Sequence, residues 1–422
     1  MTDRVLVLGA GAREHALVQA LGRSPQRPQV MCSPGNAGIA NEVEVPDPAL
    51  DAQDTEAVVA LARRLDVDLV VIGPEAPLVA GVADALTAAG IHCFGPTAAA
   101  ARLEGSKAFC KEVMGAAGVV TAAHAVVTDP DAGMEAISSY PTVIKADGLA
   151  AGKGVIIAAD ERQARAALDD LLVDRRFGTE QVVVEEFLDG EELSLLALCD
   201  GERALPLASA QDYKRIFDGD RGPNTGGMGS YSPVPAVDES RTREICAAVH
   251  QPVLDELARR GTPFHGVLYA GLMMSEQGIK VLEFNARFGD PETQAILPRL
   301  RSDLLGLLDA ACEPGGLRDA DVQWAPEAAV TVVLASAGYP ESSSSGDVIT
   351  GLDSVPPDVF VTHAGTARDA SGAIVTAGGR VLSVTALGAD IAACRRSAYA
   401  AADMIEFRGR QLRRDIAQRA VR

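Results

Sequence analysis

The sequence predicts an α/β protein with a parallel sheet near the N-terminus, a longer central region of hairpins and helices, and a β-rich cap at the C-terminus. Three observations support this fold class. Short apolar runs alternate with helical segments over the first hundred residues, paired strand patterns dominate the middle, and strands return near the end. The predicted domains cover residues 1–102, 103–325 and 326–422.

The N-terminal domain repeats one pattern of strand, turn and helix. Residues 5–9, 68–73 and 91–95 are short apolar runs that end at glycine, and helical segments at 14–21, 56–65 and 79–89 separate them. Strands that alternate with helices at this spacing favour βαβ units, and therefore a parallel sheet covered on both faces.

The central and C-terminal regions show hairpin patterns instead. Strands are predicted at residues 142–146, 154–158 and 182–187, and an antiparallel pair at 267–274 and 278–284. Residues 228–235 are predicted to form a loop. In the cap, residues 373–376 and 380–385 are predicted to pair as a hairpin through Gly378 and Gly379.

Composition excludes several classes of protein. The 422 residues carry a formal charge of −20 and are 47% hydrophobic, which argues against nucleic acid or an anionic membrane as the main partner. No apolar stretch is long enough for a membrane span or an export signal. The seven cysteines are scattered and form no CxxC pair, which is typical of reduced thiols in a cytoplasmic protein.

Residues 141–155 read PTVIKADGLAAGKGV and are the strongest single signal for a ligand. A buried strand delivers Lys145, and a loop with three glycines and Lys153 follows. Glycines allow backbone amides to approach a ligand closely, and lysines add point charges, so this loop suits a flap over a polyphosphate. A hairpin loop with solvated lysines is the alternative.

The turn after the first strand, residues 9–14, reads GAGARE. A dinucleotide fingerprint would need a third glycine where Glu14 stands and an acidic residue after the second strand, so a nicotinamide cofactor is disfavoured. The turn's amides, the helix N-terminus and Arg13 would instead suit an anion such as a sugar phosphate. Glu75, after a later strand on the same sheet edge, would suit ribose hydroxyls or equally a helix cap.

Residues 280–287, KVLEFNAR, alternate with period two. Glu283, Asn285 and Arg287 are therefore predicted on one face, with Leu282 and Phe284 in the core. Adjacent oxygen donors on a strand suit Mg²⁺, which takes its remaining ligands from water and phosphates. A solvated strand face is the alternative.

Further polar segments surround these motifs. Residues 185–188, EEFL, end a strand and would offer backbone groups to an adenine edge, while 211–215 and 222–229 add cations and a Gly-rich loop. With its motifs in this order, the chain resembles the ATP-grasp superfamily, and within it the phosphoribosylamine–glycine ligase family. The resemblance runs end to end, and GPNTGGMG (222–229) and RFGDPETQ (287–294) are its most specific motifs.

The resemblance implies an ATP-grasp fold with an N-terminal Rossmann-like domain, a lid subdomain at about 121–188 and a C-terminal β-rich cap. It implies ATP-dependent ligation of glycine to 5-phosphoribosylamine in de novo purine biosynthesis. The products would be glycinamide ribonucleotide, ADP and phosphate, formed by way of glycyl phosphate. It further implies Mg²⁺ or Mn²⁺, a cytoplasmic location and a monomer.

The resemblance also implies roles for individual residues. The nucleotide-binding positions would be Lys107, Lys145, Gly152, Glu185, Glu186, Phe187, Leu188, Glu192, Arg215 and Asn224. The metal ligands would be Glu283 and Asn285, and the catalytic residues Lys145, Asp212 and Arg287. The substrate-binding positions would be Gly11, Arg13, Glu75, Asp212, Gly227, Arg287 and Asp290.

Three positions depart from the family pattern: Ala12 replaces a usual glycine, Tyr213 a histidine and Ala286 a cysteine. None of these changes removes a charge assigned to the reaction. Three other functions stay open. They are another ATP-grasp carboxylate ligase, such as a biotin-dependent or aminoimidazole-ribonucleotide carboxylase, a nucleotide sensor or scaffold with a degenerate site, and a Rossmann oxidoreductase.

Overall fold

The structure is a computed structural model that describes residues 2–149 and 154–421. Gly152 and Lys153, both named in the sequence analysis, lie outside the described residues. Among the described helices, none combines the length and apolar character that crossing a bilayer requires.

The N-terminal region contains the predicted parallel sheet, with strand order β2–β1–β3–β4. Its strands are β1 (Arg4–Gly9), β2 (Gln29–Pro34), β3 (Leu69–Ile72) and β4 (His92–Phe94). Its helices are α1 (Ala12–Gly22), α2 (Ile39–Glu42), α3 (Thr55–Arg64), α4 (Glu75–Val79) and α5 (Val82–Ala88). β1 and β3 are buried on both faces, as expected of a sheet between two helical layers.

Two helices, α6 (Ala98–Gly105) and α7 (Lys107–Ala117), lead into the central region. The Ser106 hydroxyl accepts a hydrogen bond from the Phe109 amide at 3.1 Å and caps α7. Lys107 is therefore fixed at the first position of a helix. The predicted domain boundary after residue 102 lies inside α6.

An antiparallel sheet of order β5–β8–β6–β7 occupies the segment predicted as a lid. Its strands are β5 (His124–Val127), β6 (Thr142–Ala146), β7 (Val155–Ala158) and β8 (Val182–Glu186). α8 (Pro130–Glu135) and α9 (Glu161–Leu168), which a π-helical turn at Asp169–Val173 extends, cover one face. A separate apolar cluster that includes Ile144, Leu168 and Val182 makes this segment a packing unit of its own.

The second sheet of the central region has the order β10–β9–β15–β16, and β9, β15 and β16 carry residues that line a cleft. The elements of this part of the chain are β9 (Glu191–Asp200), β10 (Ala204–Pro206), β11 (Gln211–Asp212), β12 (Arg215–Phe217), β13 (Arg221–Asn224), β14 (Gly229–Ser232), α10 (Glu239–Arg259), β15 (His265–Ser275), β16 (Gly278–Asn285), α11 (Glu292–Ile296) and α12 (Leu304–Ala311). The predicted pairing of residues 267–274 with 278–284 is confirmed.

The C-terminal region is β-rich, as predicted, but its strand pairing differs. Its elements are β17 (Ala328–Ala335), β18 (Ser345–Val348), β19 (Val359–His363), β20 (Thr366–Arg368), β21 (Ile374–Ala377), β22 (Arg380–Gly388) and α13 (Ile391–Ala402). They form a five-stranded sheet of order β11–β14–β17–β22–β19 and a three-stranded sheet of order β18–β21–β20.

Two sequence predictions are wrong here. The hairpin predicted through Gly378 and Gly379 does not form, because β21 pairs with β18 and β20 whereas β22 pairs with β17 and β19. The loop predicted at residues 228–235 contains β14, which adds to the C-terminal sheet through β17. The first error arises because β21 pairs with the preceding strand, β20, instead of the following one, and the second because the partner of β14 lies far along the chain in β17.

Candidate active site

A cleft of about 820 Å³ lies between the central sheet, the lid segment and the ends of the N- and C-terminal regions. Its walls include Arg13 and Glu75 from the N-terminal region and Arg380 and Arg419 from the C-terminal region. Most predicted site residues line it, but Gly11 and Gly227 do not. The cleft thus uses all three regions of the chain.

Three lysines and one glutamate form the lid end of the cleft. The Lys145 Nζ lies 3.0 Å from Glu185 Oε2, and the Lys111 Nζ lies 3.1 Å from Glu185 Oε1. All three side chains are buried, and burial lowers the pKa of Lys111 although Glu185 opposes this shift. Lys107 Nζ donates to the Gly148 carbonyl at 3.0 Å and so meets the first residues of the flap.

Lys111 was missed by the sequence analysis. Lys107 and Lys111 are four residues apart on α7 and therefore share one face of the helix. This four-residue spacing was the feature of the sequence that could have identified Lys111 as a site residue. Between them, Lys107, Lys111 and Lys145 carry three positive charges, and Glu185 neutralises one.

The predicted adenine linker, residues 185–188, follows the cleft wall at the end of β8. Glu185 faces the lysines, while Glu186 Oε1 accepts from Lys280 Nζ at 2.6 Å, a hydrogen bond that lowers the pKa of Glu186. The half-exposed Phe187 and Leu188 also line the cleft. Both glutamate carboxylates are therefore paired with lysines, and all four residues of the linker line the cleft.

A β-bulge on β16 corrects one prediction. Leu282, predicted in the core, is the extra residue between the pairs Gly271–Glu283 and Leu272–Val281. The bulge breaks the alternation, so that Leu282 lines the cleft and Phe284 alone packs into the core. The Leu282 carbonyl accepts from Lys145 Nζ at 3.1 Å, which ties the bulge to the lysine cluster.

The structure brings the predicted metal pair together. Glu283 and Asn285 both line the cleft, and the Asn285 Oδ1 also accepts from Arg287 Nη2 at 3.3 Å. Burial opposes the charge on Glu283, but Lys214, Lys145 and Lys107 outweigh it and lower its pKa. No described residue donates a hydrogen bond to the Glu283 carboxylate. These oxygens fit a hard divalent cation.

Within the described ranges, no three His, Cys, Asp or Glu side chains cluster closely enough to hold a metal ion by themselves. A pair of oxygen ligands is nevertheless what Mg²⁺ takes from a protein when substrate phosphates complete its shell. The donor set therefore fits a metal that binds together with a phosphorylated ligand.

Beside this pair lies a buried acidic group around Asp212. Lys214 Nζ contacts Glu192 Oε2 at 2.8 Å and lies 4.0 Å from Asp212 Oδ1. Burial raises the pKa of Asp212 to about 8, the carboxylates of Glu292 and Glu192 add to the rise, and Lys214 opposes it. Burial opposes the charge of Lys214, but Asp212 and Glu192 keep its pKa well above its ordinary value.

Glu292 was not predicted as a site residue. Its Oε1 accepts hydrogen bonds of 2.9 Å from the Ser194 and Tyr269 hydroxyls, and its side chain is buried in the cleft wall. Its position in the motif RFGDPETQ (287–294) was the only available signal, because Ser194 and Tyr269 lie on distant strands.

Arg287 is held between two carboxylates. Its Nε lies 3.3 Å from Glu75 Oε2, and its Nη2 lies 2.8 Å from Glu104 Oε1. Burial opposes the charge, but Glu104 and Glu75 raise the pKa of Arg287 above its ordinary value. Glu75 was predicted, whereas Glu104, whose Oε2 also accepts from the Ala286 amide at 2.7 Å, was missed.

The first turn is closed by its own glutamate. Glu14 Oε2 accepts from the Gly11 amide at 2.6 Å, and Glu14 Oε1 accepts from Arg13 Nε at 2.6 Å. A Cβ at Gly73 would lie 2.0 Å from the same carboxylate, so the neighbouring turn needs glycine to make room for it. The amide predicted to hold a phosphate is therefore already bonded to a carboxylate.

Asp290 and Gly227 meet the C-terminal region. Arg380 Nη2 lies 3.0 Å from Asp290 Oδ2, and its Nη1 donates to the Asp290 carbonyl at 2.8 Å. Gly227 has φ of +109°, and a Cβ there would lie 2.4 Å from the Pro291 ring. The sequence could not indicate that Arg380 belongs to this site, because it lies in β22, 90 residues after Asp290.

Arg215 and Asn224 face each other across the β12–β13 hairpin, and both line the cleft. Arg215 Nη1 donates to the Gly222 carbonyl at 2.6 Å. This hairpin is a two-stranded sheet that pairs with no other strand of the described chain.

Models of three phosphoribosylglycinamide synthetase domains match the chain: the N domain over residues 3–104, the ATP-grasp (A) domain over 105–293 and the C domain over 329–419. The phosphoribosylamine–glycine ligase of Streptomyces coelicolor is 54% identical over 425 residues, covering 99% of each chain.

Among solved structures, the phosphoribosylamine–glycine ligase of Thermotoga maritima superposes with a TM-score of 0.83 at 35% identity, covering 98% of this chain and 100% of that one. A biotin carboxylase domain from Hydrogenobacter thermophilus, in complex with MgADP, ADP and bicarbonate, has a TM-score of 0.72 at 16% identity, covering 98% and 92%. The latter likeness concerns the fold alone. With its ATP-grasp fold and end-to-end similarity to these ligases, the chain belongs to the phosphoribosylamine–glycine ligase family.

Proposed function

We propose that the protein ligates glycine to 5-phosphoribosylamine at the expense of ATP, giving glycinamide ribonucleotide, ADP and phosphate, as a step of de novo purine biosynthesis. One observation carries this proposal. In a chain of this family, a single cleft contains Lys107 and Lys145, which suit phosphate groups, together with the Glu283/Asn285 pair and the paired Arg287.

The lid half of the cleft would hold the nucleotide. Lys107 and Lys145 would contact phosphates, with Gly152 in the flap above them. The linker of Glu185, Glu186, Phe187 and Leu188 would meet the adenine, and Glu192 the ribose, while Arg215 and Asn224 would complete the nucleotide contacts. The neighbouring biotin carboxylase domain, solved with MgADP, supports a nucleotide here because it shares the fold.

Glu283 and Asn285 would hold Mg²⁺ or Mn²⁺. When bound, the metal supplies charge neutralisation at the phosphates. The chain's own contribution is to keep Glu283 ionised through the surrounding lysines and to leave its oxygens without competing donors in the described structure.

The opposite half of the cleft would bind glycine and phosphoribosylamine. Arg13, Glu75, Arg287 and Asp290 lie on this side with Asp212, and Gly11 and Gly227 shape the turns behind them. Arg287, fixed between two carboxylates, supplies positive charge that does not move during the reaction.

The chemistry suits such a site because a carboxylate is a poor electrophile. Phosphorylation of glycine by ATP gives glycyl phosphate, and the ribosylamine nitrogen then displaces the phosphate. Lys145 would stabilise the transferred phosphoryl group. Asp212, whose pKa burial raises to about 8, would accept the proton that the amine loses.

The decisive measurement is ADP release by the purified protein. Release that requires both glycine and phosphoribosylamine supports the proposal, whereas release driven by bicarbonate would assign the protein to the carboxylases. Glu283→Gln should abolish release, and Glu276→Gln, a matched change at an exposed turn next to the same strand, should leave it intact. Unchanged turnover in Glu283→Gln would point to a sensor or scaffold.

We also propose that the protein is a cytoplasmic monomer. The seven cysteines are free thiols, and six of them are buried, which fits a reducing compartment. Light scattering coupled to size exclusion should give a mass near 43.8 kDa, and twice that mass would reject the monomer.

A further inference from the structure

One arginine near the end of the chain is completely buried. Arg413 is 0% exposed, and its Nε and Nη2 donate to the two carboxylate oxygens of Asp415 at 2.7 Å each. Its Nη1 donates to Asp220 Oδ1 at 2.9 Å and to the Arg215 carbonyl at 3.0 Å. A guanidinium that loses its hydration needs such complete pairing. The last two contacts lie on the β12–β13 hairpin.

The same guanidinium packs on Tyr213, the residue that replaces the family's usual histidine. Its carbon lies 4.9 Å from the centre of the ring, within the range of a cation–π contact. The Tyr213 hydroxyl accepts from the Ala417 amide at 3.0 Å. Tyr213 stands between Asp212 and Lys214, so the end of the chain also contacts the connection between β11 and the hairpin.

The tip of the hairpin is held as well. The Gly219 amide donates to Asp415 Oδ2 at 2.8 Å, and the Arg414 amide donates to Asp218 Oδ1 at 2.7 Å. The segment that makes these contacts, residues 410–421, is called the tail below. Helix α13 anchors the tail, because the Tyr399 hydroxyl donates to the Arg413 carbonyl at 2.7 Å.

The hairpin has little other support. A two-stranded hairpin is marginally stable in water, and this one pairs with no third strand of the described chain. Ile216 is the hairpin's one buried residue among those described. The tail therefore provides most of the polar contacts that fix where Arg215 and Asn224 stand in the cleft.

We propose that the tail is part of the nucleotide site and that Arg413 is a positioning residue, which orients the β12–β13 hairpin for ATP. The inference rests on the proposed function, in which Arg215 and Asn224 contact the nucleotide. Arg413 does not line the cleft and acts through the hairpin and through Tyr213, which does line it. Its loss should weaken the binding of ATP and leave the binding of glycine unchanged.

The test is the Arg413→Lys variant, assayed for the ligation with ATP and glycine varied separately. A lysine cannot reproduce the paired contact to Asp415, so the KM for ATP should rise about tenfold, the effect of losing charge-assisted hydrogen bonds that orient a binding group. The KM for glycine and kcat should stay within about twofold.

Arg299→Lys is the matched control. Arg299 is also buried, and it hydrogen-bonds to the Ser232 hydroxyl and the Glu327 carbonyl away from the cleft. Its variant should lower the thermal unfolding midpoint without changing the KM for ATP. Equal effects of the two variants on that KM would reduce the role of Arg413 to general stability.

A second variant protects the test against misfolding. Tyr213→Phe keeps the stacked ring but removes the acceptor for the Ala417 amide, and should raise the KM for ATP about threefold. If Arg413→Lys does not fold, the KM for ATP of Tyr213→Phe alone tests the inference. A KM for ATP within twofold of wild type overturns the inference, while a wild-type protein without ligase activity overturns the proposed function instead.

Discussion

The Glu185→Gln variant should separate stability from nucleotide affinity. Glu185 lies between Lys111 and Lys145 at 3.1 and 3.0 Å, and its side chain is 2% exposed. The amide keeps the shape of the side chain and one acceptor but loses the charge. Two buried ammonium groups would then lie close together without the carboxylate that pairs with both of them.

The size of the effect follows from burial. Removal of one partner from a buried ion pair costs about 3–5 kcal/mol, and the remaining amide acceptor retains part of it, so we expect a loss of about 3 kcal/mol in the free energy of unfolding at pH 7. Lys111→Met in the same chain removes the surplus charge and should restore about 1–2 kcal/mol.

Urea unfolding followed by circular dichroism measures both quantities. Titration calorimetry with ADP supplies the second readout, since the variant gains one positive charge in the cleft and should bind ADP no more weakly than wild type. An unfolding free energy within about 1 kcal/mol of wild type would refute the reasoning. So would a double variant less stable than Glu185→Gln.

Three further predictions follow from the same geometry. Gly227→Ala should cost at least about 3 kcal/mol in the free energy of unfolding, because the added Cβ would meet Pro291. Gly278→Ala is the control: Gly278 has a similar φ of +111°, but its Cβ would have no atom within 4 Å, so the loss should be about 1–2 kcal/mol from backbone strain alone. Equal losses in urea unfolding would contradict the close contact at Gly227. Burial lowers the pKa of His250 from 6.5 to about 4. The stability linked to this neutral histidine is therefore complete above pH 6.5 and is lost as the pH falls toward 4, by at most about 1.4 kcal/mol per pH unit. The His250→Gln variant should lose this contribution, so its unfolding free energy should fall less steeply with decreasing pH, by the amount that one bound proton accounts for. An unchanged slope would reject the assignment. Glu104→Gln should lower kcat/KM about tenfold, because Arg287 would lose its charged partner at 2.8 Å and hold its position less firmly. Wild-type kinetics in this variant would show that Glu75 alone is enough to position Arg287.

Local patterns were enough to predict much of this molecule. The alternation of strands and helices predicted the parallel sheet, and the capped start of α7 and the end of β6 are local features that carry Lys107 and Lys145. Period-two alternation brought Glu283 and Asn285 to the cleft because that stretch of β16 lies beyond the bulge, and Arg287 lines the same cleft two residues after the strand ends. For such residues, the deciding interactions lie within a few positions along the chain.

The missed features depend on partners that are distant in sequence. The bulge at Leu282 arises from the pairing of β16 with β15, and no residue near it signals the extra position. Glu104 and Arg380 act on groups 182 and 90 residues away, and both look like ordinary charged residues in their own segments. Pattern reasoning can place a residue on a face, but it cannot determine which distant side chain meets it.

β14 has a consequence for how the protein is made. This strand leaves the ribosome about a hundred residues before β17, the strand with which it pairs. During that interval its open edge offers unpaired amides and carbonyls to any other extended chain, which makes it a site for chaperone binding or for pairing between nascent chains. Arg380 and Arg419, which line the cleft, emerge later still, so a nascent chain lacks part of the cleft wall until its C-terminal segment has been synthesised.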